Sequence, residues 1–359
     1  MKIAILGDTH FGTRGDSTRF HEFQKDFYEQ TFFPYCEQHG IDTVIQEGDL
    51  FDRRKFINYN TLHLARAYFF DVLAARGMKM ITFPGNHDIF WRESLEVNSQ
   101  ALLLKDYANI TSLSTPQVVE LGGCKFAMVP WICDSNREEA LRFLATADAD
   151  VCIGHFEIEG FSMSAGSAPG AGLDRKMFER FTHTFSGHYH THSIQDNIIY
   201  TGAPYELTWM DANDKKYFFV YDTETMTYEK VANPFRMFIH TEYKPEAPHA
   251  SYNNPRYQGR FVKFHIHDAV QDGYHFDRCM SALMNSGPAE VKVIDHAAAS
   301  ASAGEGEDGS AAPASVMDAV QTWLDQTMKD DPAKPQVFDY LKSLYDVALE
   351  YQVDREGSW

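Results

Sequence analysis

The chain has 359 residues, five cysteines, 32 basic and 51 acidic residues, and a formal net charge of −19 at pH 7. This length suits one large domain with a smaller one, and widely spaced cysteines without a C-x-x-C pair argue against a disulfide framework or a zinc finger. The acidic balance argues against nucleic-acid binding through a broad basic surface, but phosphate-ester chemistry stays open if bound cations supply positive charge locally.

The N-terminus enters a predicted strand directly, with no sign of a signal peptide. No apolar run reaches membrane-spanning length. Together with the free cysteines, this predicts a protein of the reducing cytoplasm with no membrane partner.

Strand-like and helix-like segments alternate in the first two-thirds of the chain, and strands then dominate. Helices are predicted over residues 20–39, where Pro34 should kink or break the helix, and over residues 60–76. Strands are predicted at residues 2–8, 43–46, 78–82, 118–121, 125–129, 151–153, 184–186, 198–201, 217–222 and 228–232. This order predicts an α/β sandwich over residues 1–243.

A smaller unit is predicted after the Pro/Asn-rich stretch 244–255. Residues 256–296 read as a β-α-β cap, with strands at 260–267 and 290–295 and a helix at 274–285. Residues 297–315 contain no large apolar side chain and are rich in Ala, Ser and Gly, which predicts a flexible linker. Residues 316–353 predict a C-terminal pair of helices, each with one apolar face.

Five predicted strands end in side chains that can bind metals, each first ligand preceded by glycine. These side chains are Asp8 and His10, Asp49, Asn86 with His87 and Asp88, His155, and His188 with His190. The carboxyl ends of strands are where α/β sheets gather ligands, and glycine lets the backbone turn sharply there. A single histidine of this kind would be a surface or core residue, but folding alone does not explain five such strand ends.

The ligands predict two divalent metal ions. Oxygen and imidazole donors without thiolate suit Mn, which we expect, and also Mg, Fe or Zn. Asp8 and His10 are spaced to bind one ion together, Asp49 can bridge two ions, and Asn86 offers a neutral oxygen. Two such ions would activate a hydroxide for in-line attack on a phosphoester and would stabilise the leaving oxygen.

The series D-x-H, GD, GNHD, GH and GHxH resembles the calcineurin-like metallophosphoesterase superfamily in content and order. The resemblance implies a metallophosphoesterase β-sandwich flanked by helices. It assigns one metal to Asp8, His10, Asp49 and His190, and the other to Asp49, Asn86, His155 and His188. It also implies that His87 contacts the phosphate as general acid and that Asp88 orients His87.

Within the superfamily, the chain resembles the SbcD-type DNA repair nucleases, particularly the recombination endonuclease subunits of large tailed phages. The segments "GDLFD", "GNHD", "VPWIC", "CIGHFEIEGF", "SGHYHT" and "YTGAPYELTWMD" carry this resemblance. It implies a metal-dependent exo- or endonuclease that acts on DNA in recombination and double-strand break repair. It further implies a DNA-contacting cap, a homodimer, terminal helices that bind an SbcC-type coiled-coil ATPase, and the host cytoplasm as the location of a phage-encoded chain.

Two other functions stay open. A phosphatase or cyclic-nucleotide phosphodiesterase could use the same scaffold, but a small-molecule enzyme has no evident use for the cap, linker and tail helices. The Ser/Thr phosphatase pattern is also broken, because Pro84 stands where those enzymes have a phosphate-binding arginine. A non-catalytic DNA-end scaffold would have no reason to keep a complete ligand set and His87.

Residues 52–55, which closely follow the GD motif, have roles that the sequence leaves open. Asp52 stands where several archaeal and eukaryotic relatives have histidine, so the balance of endo- and exonuclease activity cannot be carried over. The cluster Arg53, Arg54 and Lys55 either contacts DNA phosphates or forms a solvated loop. Given the acidic balance, we expect this chain alone to bind DNA weakly.

Overall fold

The computed structural model describes residues 1–161 and 172–296, with short pieces of the tail at 320–321, 323–325, 328, 334–338 and 340–342. Two compact units make up the chain, one of Met1–Phe264 with Asp272–Val293, the other of His265–Gln271 with Ile294–Trp359. The predicted linker and most of the predicted tail helices lie outside the described residues, although 334–338 and 340–342 are helical.

The first unit contains a six-stranded sheet in the order β12-β11-β1-β2-β3-β4. Its strands are β1 (Lys2–Leu6), β2 (Thr43–Gln46), β3 (Lys79–Thr82), β4 (Ile110–Ser112), β11 (Tyr217–Asp222) and β12 (Thr227–Ala232). Strands β1 to β4 are parallel, and the hairpin β11–β12 adds antiparallel to β1. The carboxyl ends of four strands therefore share one edge.

A second six-stranded sheet has the order β5-β6-β7-β8-β10-β9. Its strands are β5 (Gln117–Leu121), β6 (Cys124–Val129), β7 (Val151–His155), β8 (His183–Gly187), β9 (Ser193–Gln195) and β10 (Ile198–Tyr200). Strands β6, β7, β8 and β10 are parallel, and β5 and β9 pair antiparallel at the two edges.

The two sheets pack face to face. Alternate side chains of β1 point to opposite faces of its sheet. Ile3 and Ile5 join a buried cluster with Phe126 and Phe185 of the second sheet. Leu6 packs toward helices on the other face. The outer face of the second sheet has its own buried cluster with the helix Arg137–Thr146. This confirms the predicted sandwich flanked by helices, in which central strands such as β1 and β7 are buried on both faces.

The remaining helices are as follows. The first helical stretch comprises Thr18–Phe27, Tyr28–Phe32 and Phe33–His39, the second Tyr59–Ala65, Arg66–Phe70 and Asp71–Ala75, and shorter helices are Thr13–Asp16, Ser99–Leu103 and Gly273–Met284. Single 3-10 turns lie at Arg175–Phe178, Trp209–Asp211, His249–Tyr252 and Pro255–Tyr257.

Of the two predicted effects of Pro34, a kink or a break, the break does not occur. The turn before it, Tyr28–Phe32, is a π-helix, and Pro34 then occupies the first turn of Phe33–His39. Proline cannot donate its N–H and its ring crowds the carbonyl four residues earlier. A wider π turn relieves that conflict without ending the helix.

A third sheet has the order β13-β14-β15, made of β13 (Phe238–Glu242), β14 (Phe261–Ile266) and β15 (Glu290–Asp295). The predicted cap contained the last two strands and the helix between them. β13 falls before its predicted start, within residues 1–243. Sequence patterning missed β13 because the five-residue strand is only partly buried and follows the Pro/Phe-rich turn that ends β12.

None of the helices described for this chain is long and apolar enough to cross a bilayer.

Candidate metal centre

The centre lies where the parallel strands of both sheets end. β1, β2 and β3 lead to Asp8, Asp49 and Asn86, while β7 ends at His155 and β8 leads to His188. Carboxyl ends of parallel strands share one edge of a sheet, so packing the two sheets face to face brings both sets of side chains together.

One cluster consists of Asp8, His10 and Asp49, whose donor atoms all lie within 4.8 Å of one another. The Nε2 of His10 lies 3.7 Å from Oδ2 of Asp49 and 3.0 Å from Nε2 of His190. All three residues of the cluster are buried. These three residues and the adjoining His190 are the four that the resemblance assigns to one metal.

A second cluster consists of Asp49, His155 and His188. Two imidazole nitrogens approach Oδ1 of Asn86, namely Nε2 of His155 at 3.0 Å and Nδ1 of His188 at 2.9 Å. Oδ2 of Asp49 lies 3.3 Å from the same Nε2 of His155. Asp49 thus belongs to both clusters, which is the position that a bridging carboxylate needs.

Three of these residues have left-handed backbone conformations. The φ angle is 42° at His10, 49° at Asp49 and 91° at His188. Such angles are uncommon outside glycine and cluster at functional sites, where surrounding structure holds the strain. Gly48, at φ 89°, could not carry a side chain, because a Cβ atom would lie 2.8 Å from Nδ1 of His155.

Two histidines of the centre have strongly raised pKa values. Burial alone would lower the pKa of both imidazoles. Asp52 and Asp49 outweigh this effect at His10, and Asp49 outweighs it at His155, so the pKa of each imidazole rises to about 9. In return, despite burial, the nearby His155 holds the pKa of Asp49 well below its usual value. The metal-free centre therefore balances its carboxylates with two imidazolium ions at neutral pH.

The other two histidines are neutral at that pH. Burial, together with the charge of His155, lowers the pKa of His188 to about 3, and burial with the charge of His10 does the same for His190. These two rings can ligate an ion without losing a proton. Buried carboxylate, amide and imidazole donors without thiolate fit a hard or borderline divalent cation, and two cations would replace the two imidazolium charges.

We expect metal loading at neutral pH to release about two protons, one each from His10 and His155, because only neutral imidazole binds a metal. Protons compete below the raised pKa, so the affinity for Mn²⁺ should rise with pH up to about pH 9. Calorimetric titration of EDTA-treated protein with Mn²⁺ in buffers of different ionisation enthalpy measures the proton count. Loading without proton release would show that these rings are already neutral.

The structure corrects the predicted role of Asp88. Its carboxylate accepts hydrogen bonds from the backbone N–H groups of Leu50, Phe51 and Gly85 and from the side chains of Ser99 and Gln100. The prediction that Asp88 orients His87 is therefore wrong. A buried carboxylate at this place instead joins the loop after β2 to the loop after β3, because both loops present unpaired amides there.

His87 is half-buried beside the centre. Its backbone N–H donates to Oδ1 of Asp49 at 2.8 Å, and Nδ1 lies 2.7 Å from the carbonyl oxygen of Asp52. With its proton on Nδ1 donated to that carbonyl, the ring keeps Nε2 for another partner. The ring that was predicted to donate a proton is thus oriented by Asp52.

Sequence reasoning did not predict that Asp52 and Glu47 fix imidazole orientation. The Asp52 carboxylate lies 3.4 Å from Nδ1 of His10. The carbonyl of Glu47 lies 2.8 Å from Nδ1 of His155, which directs Nε2 of that ring toward Asp49. Partners of this kind set the tautomer and basicity of metal-binding histidines. The only sequence signal was their closeness to Asp49.

Other side chains singled out from sequence have structural contacts. Arg53 pairs with Asp16 at 2.8 Å, and buried Arg54 donates to the carbonyl of Ile89 at 3.2 Å. These two arginines therefore support loops, whereas Lys55 is exposed. Trp131 lines the centre, with its ring centroid 5.1 Å from that of His188.

A buried ion pair holds the backbone of His190. The Nζ of Lys216 lies 2.9 Å from the carbonyl oxygen of His190, 2.6 Å from Oδ1 of Asp211 and 3.1 Å from Oδ2 of Asp214. The Lys216 side chain is 2% exposed. No motif marked this lysine, because its contact with His190 joins segments 26 residues apart.

Replacing Lys216 by methionine should destabilise the protein by about 3–5 kcal/mol, since it leaves Asp211 buried without its cation. Because His190 also loses an anchor, we expect Mn²⁺ affinity to fall by about tenfold. Urea unfolding and calorimetry measure the two effects, with the exposed neighbour in Lys215→Met as control. Lost stability with unchanged affinity would show that the pair supports only the fold.

Comparison with known proteins identifies the domain. Residues 1–192 match the family model described as calcineurin-like phosphoesterase. The chain is 34% identical over 256 residues to "Exonuclease subunit 1" of Enterobacteria phage T4, an alignment that covers 71% of this chain and 75% of the phage protein.

Two solved structures are more distant. An archaeal phosphodiesterase is 16% identical with a TM-score of 0.33, covering 65% of this chain and 100% of that one. GAP50, described as the anchor in the inner membrane complex of Plasmodium, is 16% identical with a TM-score of 0.39, covering 66% and 90%. Because both TM-scores are below 0.5, these likenesses support no conclusion about this chain. The family match spans more than half of the sequence and includes every predicted metal ligand, so the chain belongs to the calcineurin-like phosphoesterase family.

Proposed function

We propose that this chain is a metal-dependent DNA nuclease that hydrolyses phosphodiester bonds at the centre described above. The observation that carries the proposal is the sharing of Asp49 by two ligand clusters, with His87 held beside them by its N–H hydrogen bond to Asp49. The similarity to a phage exonuclease subunit supports DNA as the substrate. Recombination and double-strand break repair is the proposed setting.

The proposed metal ligands are the two sets assigned from sequence: Asp8, His10, Asp49 and His190, and Asp49, Asn86, His155 and His188. Two divalent ions there, with Mn²⁺ as the proposed species, would supply Lewis-acid activation of water and charge stabilisation at the phosphate. Asp49 belongs to both clusters, and the half-buried side chains of His188 and Asn86 are partly accessible to solvent, which a phosphate would need.

His87 is the proposed proton donor. Cleavage of a phosphodiester leaves an alkoxide, which is a poor leaving group unless it is protonated. Asp52 holds the Nδ1 side of the ring through its carbonyl, so Nε2 would carry the proton to the leaving oxygen. The hydrogen bond from the His87 backbone to Asp49 fixes this donor beside the clusters.

The test is incubation of the purified chain with linear duplex DNA and Mn²⁺. Metal-dependent degradation that EDTA stops would support the proposal. Hydrolysis of bis-p-nitrophenyl phosphate without DNA cleavage would mean that the substrate is another phosphodiester or that a partner is required. Addition of an SbcC-type ATPase separates these two explanations, since it should restore cleavage only in the second case.

We also propose that the tail, residues 316–353, binds an SbcC-type ATPase, that the chain forms a homodimer through its main domain, and that it acts in the cytoplasm. Tethered apolar helices after a long Ala/Ser/Gly-rich segment suit docking on a separate partner. The excess of acidic over basic residues suits a subunit whose partner supplies much of the affinity for DNA.

Deleting the residues after Ala314 should leave metal binding and hydrolysis of bis-p-nitrophenyl phosphate unchanged and abolish association with the ATPase. The expectation follows because every proposed ligand lies in the first 190 residues. Co-purification measures association, and calorimetry measures metal binding. Loss of metal binding in the truncated protein would show instead that the tail belongs to the core.

A further inference from the structure

A cavity of about 410 Å³ lies apart from the proposed ligands, beside β13. Three arginines line it, Arg236, Arg256 and Arg260, together with aromatic side chains that include Phe235 and Phe238. We call this cavity the arginine pocket. Three guanidinium groups around one cavity need an explanation in a chain whose net charge is −19.

Arg260 is the most informative of the three. Its guanidinium lies 5.4 Å from the ring centroid of Phe23, and it makes no side-chain hydrogen bond or ion pair with any residue that the structure describes. Burial lowers its pKa, although Asp26 and Glu206 act in the opposite direction. The carboxylates of Asp26 and Glu206 offset part of the desolvation cost of this half-buried guanidinium, but neither pairs with it directly, and a bound anion would offset more.

The other two arginines retain unused donors. Arg236 pairs with Oε1 of Glu206 at 3.1 Å, and that carboxylate also accepts from the backbone N–H of Met237 and Phe238. Arg256 has only neutral partners among the described residues, Thr241 at 3.4 Å and the hydroxyl of Tyr257. Three guanidinium groups line the pocket, whereas two carboxylates among the described residues act on them, Glu206 beside Arg236 and Asp26 beside Arg260, so the pocket has excess positive charge.

We propose that the arginine pocket binds a phosphate group of a nucleic-acid strand, and this inference rests on the proposed nuclease function. Guanidinium forks match phosphate oxygens in pairs, and aromatic walls suit the sugar or base beside the phosphate. An acidic protein repels DNA at long range, so a local cationic pocket would hold the strand in register while another phosphodiester occupies the metal centre.

The test measures DNA binding without hydrolysis. Fluorescence anisotropy of labelled single- and double-stranded DNA is recorded in EDTA over a series of salt concentrations. The variants are Arg260→Gln and Arg256→Gln, with Arg142→Gln as the matched control, since Arg142 is 68% exposed and pairs with Glu138 on a distant helix. Each pocket variant should weaken binding by about tenfold and lower the salt slope by about 1, while the control leaves both unchanged.

Hydrolysis of bis-p-nitrophenyl phosphate reports folding and the metal centre, and we expect the pocket variants to retain it. Wild-type affinity and salt slope in both pocket variants would overturn the inference. The phosphate that the pocket binds could belong to a DNA strand or to a free nucleotide, and calorimetry with dAMP distinguishes these two sources. Binding of free dAMP that Arg260→Gln abolishes would assign the pocket to a nucleotide rather than to a strand. If wild-type protein cleaves bis-p-nitrophenyl phosphate but neither binds nor cleaves DNA, the proposed function fails, and the dAMP titration still tests the pocket.

Discussion

Replacing Asp49 by alanine should lower hydrolysis of bis-p-nitrophenyl phosphate by about three orders of magnitude and reduce the bound Mn²⁺. Oδ2 of Asp49 lies near His10 of one cluster and His155 of the other, at 3.7 and 3.3 Å. Its loss removes a ligand from both clusters, and several kcal/mol of transition-state stabilisation correspond to this change in rate. Steady-state kinetics and calorimetric titration with Mn²⁺ measure the two effects.

The matched control is Asp148→Ala, because the Asp148 side chain is 90% exposed and pairs with Lys125 at the surface. This control should keep wild-type activity and metal stoichiometry. Thermal unfolding in EDTA separates a folding defect from a metal defect. Two equivalents of tightly bound Mn²⁺ in folded Asp49→Ala would contradict the bridging role, and retained activity would move the chemistry away from this centre.

The location of the centre could be predicted because it depends on local rules. Each ligand follows a short apolar strand and a glycine, and parallel strands end at a common edge. Asp8 and His155 sit at strands from different sheets, yet the same rule places both. The sandwich itself follows from strands that are apolar on both faces, such as β1.

The roles of Asp88 and Asp52 could not be predicted, because neighbours in sequence are not neighbours in the hydrogen-bond network. Asp88 follows His87 directly, but its carboxylate bonds to the loop after β2. Asp52 is 35 residues from His87, yet its carbonyl orients that ring. Motif spacing identifies which side chains gather, whereas contacts between two loops depend on how those loops cross.

Contacts that require tertiary structure were missed for the same reason. Lys216 reaches the carbonyl of His190 across 26 residues, and no periodicity marks it. Arg54 was grouped with its charged neighbours, but its burial depends on the loop that carries Ile89. β13 was missed because a short, partly exposed strand is defined mainly by the sheet it joins.

Replacing His87 by glutamine should lower DNA cleavage by roughly two to four orders of magnitude while Mn²⁺ binding stays at the wild-type level. The ring lies outside both donor clusters, and its backbone contact to Asp49 does not depend on the side chain. Glutamine can keep a hydrogen bond to the Asp52 carbonyl, but it cannot supply a proton at the leaving oxygen. Calorimetry and DNA cleavage rates measure the two effects.

The leaving group determines how much the reaction depends on proton donation by His87. p-Nitrophenolate leaves without protonation, whereas the alkoxide of a DNA strand does not, so His87→Gln should slow bis-p-nitrophenyl phosphate hydrolysis much less than DNA cleavage. The control is His63→Gln, because His63 lies on the surface helix Tyr59–Ala65 away from the clusters. Equal loss for both substrates would contradict proton donation and would mean that the imidazole serves to bind the phosphate. An unchanged rate on DNA would remove His87 from the mechanism and leave the proton to water at the centre.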